Sequence, residues 1–465
     1  MPSRFLLRPR WTCLGKGRID ENVVVLIEGE RIADVLRDPS GIDAPVIDLP
    51  GHLVLPGLIN IHTHAGPGPI ARGIAEDLPM ATGGAFYTAL TKLWKIAYTE
   101  RFRNELRAIV RWDVYGMLRT GTTTIVNQSS VDLEGFLSAV DELGARTYTC
   151  LTLPLSIEHR LGYIKDGVAA RDDVSGIDDQ DAELKLHETF FARYDGSASG
   201  RIRMMLAPAS AHTVPPSVLR QVRQMANELH CPISTHLCQA PNELNETQAK
   251  YGKTPVGVLL EAGLLGPDLL CAHATYVAEE DIPVLRDSGT FVGHCASRKS
   301  KEAVISPFQR FVDAGVPVAL GTDSFQCDLV EEMKDAAVLG KIAVRTLDRP
   351  SATQVLEAAT SVGARYLSRS DLGHIQPGAT ADLIAVNLTR VHNSPVIEPL
   401  RSAVYYSYGS DVDFVTIGGK ILVQDGRSTT LDEVTLANQA RAACERIWEE
   451  AERQGAIPRS PLDKD

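Results

Sequence analysis

From about residue 60 to residue 323, short runs rich in apolar and β-branched residues alternate with longer stretches whose apolar positions recur at helical spacing. The runs are His52 to His64, Thr120 to Asn127, Ala145 to Leu153, Arg201 to Ala209, Pro232 to His236, Leu269 to His273, Thr290 to His294 and Val316 to Asp323. Helical periodicity follows them, for example over Pro216 to Leu229 and Val330 to Val344. Eight strand-helix repeats predict an α/β fold closed into a (β/α)8 TIM barrel over residues 56–374. An open doubly wound sheet is the competing architecture, but no GxGxxG turn opens any of these helices and such a sheet leaves edges unpaired.

Two flanking segments break the repeat. Residues 1–55, with VVVLIEGERIADVL, and residues 375–430, with ADLIAVNL and DFVTIGGKILVQDG, read as antiparallel strands and hairpins. Coming from opposite ends of the chain, they predict one small composite β-sandwich beside the barrel. Residues 431–465 read as a C-terminal helix, Leu431 to Gln454, and a tail. The loop after the first strand, about residues 65–100, combines several glycines with Phe86, Tyr87, Leu93 and Trp94, a composition suited to a mobile cover. Phe86 and Trp94 are candidates to line an apolar substrate pocket there.

Composition narrows the partners. A net charge of −12 without a Lys/Arg-dense patch disfavours nucleic acid and anionic membranes, so the expected substrate is a neutral small molecule. The N-terminal segment has no apolar core of a signal peptide and no run is long enough to span a bilayer, which predicts a cytoplasmic protein. Eight cysteines lie scattered without CxxC spacing and are expected to be reduced thiols, mostly buried, with a thiol nucleophile disfavoured.

The strong chemistry sits at strand ends. In PGLINIHTHAG, His62 and His64 are two apart and are expected to face the same way, into the barrel. His236 closes the fifth run in CPISTHL, His273 the sixth in LLCAHAT and Asp323 the eighth in VPVALGTDS. In a barrel the C-terminal strand ends converge on one mouth, so residues distant in sequence assemble there. Any one of these histidines could be an ordinary core residue; together they argue for a metal or catalytic cluster.

Through PGLINIHTH, STHL, CAH, GHCAS and LGTDS, in that order, the sequence resembles the metal-dependent amidohydrolase superfamily. ARGIAEDLP and the terminal strand motifs are similar to its triazine-hydrolase and cytosine-deaminase-like branch. The resemblance implies that His62, His64, His236 and Asp323 bind one divalent metal, that His273 contacts substrate or water, and that the enzyme is a homo-oligomer. Three imidazoles, a carboxylate and a water suit zinc, cobalt, manganese or iron equally. The fourth strand ends MMLAPAS without a lysine, which favours a single ion. The expected reaction is hydrolysis by a metal-bound hydroxide, with Asp323 accepting the water proton and His273 hydrogen-bonding the developing oxyanion.

Deaminases of this branch carry a glutamate three residues after the fifth-strand histidine, where this chain has Gln239. A carboxamide can orient water or substrate but carries no proton. A leaving group that departs as a stable anion needs no such acid, and thiolates do so readily because a thiol has a pKa of about 8.5. With Gln239, the chain resembles the phenylurea and thiocarbamate hydrolases, so the expected substrate is an S-alkyl thiocarbamate such as molinate. The alternatives are a phenylurea C–N bond, or deamination or dechlorination of an aromatic heterocycle. Glu243 and Glu246 could replace the missing glutamate, although solvated charge at a helix start is the plainer reading. His212 and His294 are candidate substrate contacts, each with a packing alternative. Arg298 and Lys299 either contact substrate or product or lie in solvent.

Overall fold

The computed structural model describes residues 3–74, 92–128, 132–153 and 180–457. Its barrel strands are Leu58–Thr63, Thr122–Asn127, Arg146–Thr149 with Thr152–Leu153, Ile202–Met204 with Ala207–Pro208, Ile233–Leu237, Leu269–His273, Phe291–His294 and Val318–Leu320. Neighbouring strands pair in parallel. Parallel bridges Leu206↔Ile233 and Thr63↔Asp323 close the ring. Ile59, Val126, Tyr148, Ala207, Leu270, Phe291 and Ala319, from seven strands, fill the interior as one cluster. The third run is interrupted at Cys150, whose thiol donates to the Gln128 carbonyl at 2.8 Å.

The run from His52 to His64 is two strands, not one. Val46–Pro56 belongs to the terminal sheet and Leu58–Thr63 to the barrel, divided at Gly57. A Cβ at Gly57 would lie 2.2 Å from Thr123 Oγ1, so only glycine lets the chain cross that closely.

Strands from both ends form a continuous nine-stranded mixed sheet. The join is the antiparallel pairing of Val46–Pro56 with Leu383–Asn387, in register from Leu383↔Pro56 to Asn387↔His52. On its other side Val46–Pro56 pairs in parallel with Arg4–Gly15. Phe5, Leu7, Val25 and Ile27 from the N-terminal strands pack with Leu383, Phe414 and Ile421 from the C-terminal ones in a separate apolar core. The layers of the expected sandwich are therefore continuous in hydrogen bonding.

A buried ion pair locks this sheet to the barrel. Arg146, which opens the third strand, reaches Asp382 through Nε at 3.0 Å and a second nitrogen at 3.2 Å. Asp382 also accepts from Gly418 N at 2.7 Å. The C-terminal helix, Glu433–Arg453, starts on an Asp432 cap that accepts from Val434 N and Thr435 N. It packs on the helix Arg103–Arg119, and Trp448 Nε1 donates to Ile70 O at 2.8 Å, fixing the start of the loop after the first strand.

No described helix is long and apolar enough to cross a membrane. None of the eight cysteines is in a disulfide. Burial pushes the Cys231 and Cys444 thiols up to about 12, which keeps them protonated and chemically quiet.

Candidate active site

Five side chains converge at the C-terminal strand ends. His62 comes from the first strand and His64 from just beyond it, His236 from the fifth, His273 from the sixth and Asp323 from just beyond the eighth. Strict alternation would not bring both histidines inward, because Ile59 and Ile61 already face the interior. A ladder irregularity between Asn60 and Thr63 re-aims the chain there. The His62 ring then lies 4.9 Å from that of His64, 5.0 Å from His236 and 5.2 Å from His273. Candidate ligand atoms of His62, His64 and His236 fall within 4.8 Å of one another, as do those of His62, His273 and Asp323.

The backbone is bent to make this possible. His273 and Asp323 have φ of 72° and 57°, a left-handed conformation that costs a residue with a side chain about 1–3 kcal/mol. Asp323 is held there by its N–H donating to His62 O at 3.0 Å and by Thr63 Oγ1 donating to its carbonyl at 2.9 Å. The eighth strand runs so close to the first that a Cβ at Gly321 would lie 2.7 Å from the His62 nitrogen.

The donor set fits a metal. Both ring nitrogens of His62 and of His273 are buried without a hydrogen-bond partner, a costly state unless something else occupies them. His236 Nδ1 lies 2.9 Å from Ala209 O and 3.0 Å from Gln128 Nε2, and its Nε2 faces His64 Nε2 at 3.2 Å. Two imidazole nitrogens facing at that distance can both ligate one cation. Burial pushes the pKa of His62 and His273 below the usual imidazole range, and the neutral form is the one that ligates. Neutral imidazoles plus a carboxylate, with no thiolate, suit a borderline transition metal. The cluster is a site for a single divalent transition-metal ion.

Asp323 is the electrostatic centre. Ser324 Oγ donates to its Oδ1 at 2.9 Å, while Oδ2 lies 3.4 Å from Arg298 Nε and 3.8 Å from His273 Nε2. Burial alone would raise its pKa, but the Arg298 guanidinium, a permanent cation beside Oδ2, helps hold the carboxyl below the usual range.

Arg298 and Lys299 are not solvated, the outcome that local sequence left open: they are 3% and 1% exposed. Arg298 donates to Glu302 at 2.7 Å and stacks over Phe325. Lys299 Nζ donates to the Gln239 carbonyl at 2.9 Å and to Glu302 at 2.8 Å. The loop after the seventh strand is thereby tied to the loop after the fifth.

The plainer reading of Glu243, solvated charge, does not hold either. It sits in the first turn of the helix Asn242–Tyr251 but is 2% exposed. Its Oε1 accepts from the N–H groups of Gln239 and Ala240 at 2.8 and 3.1 Å. Its Oε2 is buried without a hydrogen-bond partner and lies 3.6 Å from His212 Nδ1, which also lacks one. Glu246 is turned to Asn242 instead, accepting at 2.7 Å. An acidic residue in a first helical turn is so common on surfaces that sequence gives no sign of this burial.

The remaining candidates are scattered. Phe86 lies outside the described residues. Trp94 packs with Leu93, Phe102 and Phe325 in a satellite core and stacks on Tyr98. His294 follows the alternation of its strand: Phe291 faces the interior, so His294 falls on the opposite face with its ring 5.1 Å from Phe308. Burial pushes its pKa down to about 3, a neutral ring suited to packing.

The Amidohydrolase family matches residues 53–422. The chain is 34% identical over 425 residues to the 5'-deoxyadenosine deaminase of Methanothermobacter thermautotrophicus, covering 90% of this chain and 93% of that protein. It is 32% identical over 427 residues to the 5-methylthioadenosine/S-adenosylhomocysteine deaminase of Pyrococcus abyssi, covering 88% and 91%. In fold it is similar to a zinc-bound adenosine deaminase from Xanthomonas campestris, with a TM-score of 0.81 and 24% identity over 96% of this chain and 99% of the other. The zinc complex of the atrazine chlorohydrolase TrzN from Arthrobacter aurescens TC1 gives a TM-score of 0.81 and 24% identity, covering 95% and 100%. With its barrel, its His/Asp metal cluster and this match along most of its length, the chain belongs to the amidohydrolase family and is a metal-dependent enzyme of that superfamily.

Proposed function

We propose that this enzyme hydrolyses an exocyclic C–N bond of an aromatic heterocycle, releasing ammonia, with 5′-modified adenosines as the first substrates to test. The observation that carries the reading is similarity over about nine-tenths of the chain to deaminases of adenosine derivatives. The thiocarbamate reading rested on Gln239 leaving the site without a proton carrier. A buried carboxylate, Glu243, hydrogen-bonded to Gln239's own backbone, sets a titratable group beside that position and argues against the premise.

A divalent ion bound by His62, His64, His236 and Asp323 would supply Lewis-acid activation of the attacking water. The protein's own groups do the rest. Asp323, kept ionised beside the Arg298 guanidinium, accepts a proton from the water. Ser324 and Arg298 fix its two oxygens, so the basic lone pair has one direction. Neutral His273 offers a hydrogen bond to a substrate heteroatom as negative charge builds there.

A substrate panel tests this directly. Ammonia release from adenosine, 5′-deoxyadenosine and S-adenosylhomocysteine is expected to exceed chloride release from chlorotriazines, thiol release from thiocarbamates and aniline release from phenylureas by at least about tenfold in kcat/KM. Thiol or aniline release without ammonia would overturn the assignment. Dialysis against a chelator should abolish turnover and Zn²⁺ or Mn²⁺ should restore it; activity that survives complete metal removal contradicts the mechanism.

A further inference from the structure

We infer that His212 and Glu243 form a proton-carrying pair at this site and supply the function that Gln239 cannot; the inference rests on the heterocycle reading above. Four observations converge on it. The carboxamide at Gln239 carries no proton at ordinary pH. Glu243 is a buried carboxylate with one oxygen saturated by the Gln239 and Ala240 N–H groups and the other, Oε2, unpartnered. Opposite that free oxygen, 3.6 Å away, stands the equally unpartnered Nδ1 of His212. His212 belongs to the mouth by topology: two residues before it, Ser210 bridges to His236, a proposed metal ligand.

A carboxylate facing one imidazole nitrogen fixes the tautomer, and the other nitrogen becomes the one that exchanges protons. Helix capping alone does not explain the arrangement. Capping uses Oε1 only, whereas burying Oε2 without a partner is unfavourable unless that oxygen has another task. Glu243 is in these terms a positioning residue, acting through His212.

The chemistry balances without a further reactant. As the C–O bond forms from water, Asp323 takes one water proton and a ring nitrogen of the substrate receives a proton from His212. Protons from Asp323 and from the added hydroxyl pass to the exocyclic nitrogen and back to His212. The C–N bond breaks, ammonia departs, and the ring keeps the oxygen as a lactam. No electrons change hands.

Glu243→Gln is the discriminating variant, because its side-chain oxygen still accepts from both N–H groups while the carboxylate that faces His212 is gone. On the amino-heterocycle turned over fastest, kcat is expected to fall about 100-fold, with KM within threefold and metal content unchanged. His212→Gln should lose a similar factor with the Glu243 cap intact. Combining both substitutions should cost little more than either, as for residues acting as a unit. Adding Gln239→Glu to Glu243→Gln should recover at least tenfold. Ammonia release by Glu243→Gln within threefold of the unaltered enzyme, or no recovery in the Gln239→Glu combination, would overturn the pair alone. Absence of ammonia release from every amino-heterocycle by the unaltered enzyme overturns the reading beneath it as well.

Discussion

Asp323→Asn should lower kcat/KM by at least about 1,000-fold, within the range for removal of a proton acceptor from the reacting centre. The substitution keeps shape and size, so the Ser324 hydroxyl and the Thr63 and His62 backbone contacts that hold residue 323 need not move. What changes is charge. An amide accepts no proton from water, and it leaves the Arg298 guanidinium beside a neutral group instead of an anion. Metal content, measured alongside activity, separates two contributions. Retained metal with lost turnover assigns the loss to proton transfer, and lost metal assigns part of it to ligation. Activity within tenfold of the unaltered enzyme would remove Asp323 from the mechanism.

Asp382→Ala carries the largest stability cost, about 3–5 kcal/mol, because it strands the Arg146 guanidinium between the barrel and the terminal sheet. The Gly418 N–H loses its acceptor too. A thermal midpoint several degrees lower should report this, with kcat per folded molecule unchanged because the pair lies outside the metal cluster. Replacing both partners, Arg146→Met with Asp382→Leu, should recover part of the loss: the unpaired buried charge is more costly than the absent bridge is valuable. Asp382→Ala unfolding at the same temperature as the unaltered chain would show that the two layers are held by packing alone.

The barrel and its cluster were legible because they rest on rules that are local in sequence. Strand runs announce themselves by composition, and a parallel barrel carries its working residues at the C-terminal ends, so His62, His64, His236, His273 and Asp323 could be collected from five separate motifs. His294 shows the limit of reading position without phase. Phe291 and Gly293 share one face of their strand, and counting by two from Phe291 was enough to turn His294 away from the interior. Glu243, Arg298 and Lys299 are harder. Their burial accompanies the meeting of loops from the fifth and seventh strands, where Lys299 reaches the Gln239 backbone carbonyl, and nothing in either segment alone encodes it. The irregularity at Asn60 to Thr63 is similarly a property of two strands rather than one.

The pairing of Val46–Pro56 with Leu383–Asn387 also bears on how the protein is made. During synthesis the segment that leads into His62 emerges early, yet its sheet neighbour leaves the ribosome only after the whole barrel has been translated. Until then one edge of that strand offers unsatisfied amides and carbonyls to any passing chain. The strand that leads into the first metal-bearing one is thus among the last to be locked, so a polypeptide halted before Leu383 would be prone to aggregate and not merely inactive.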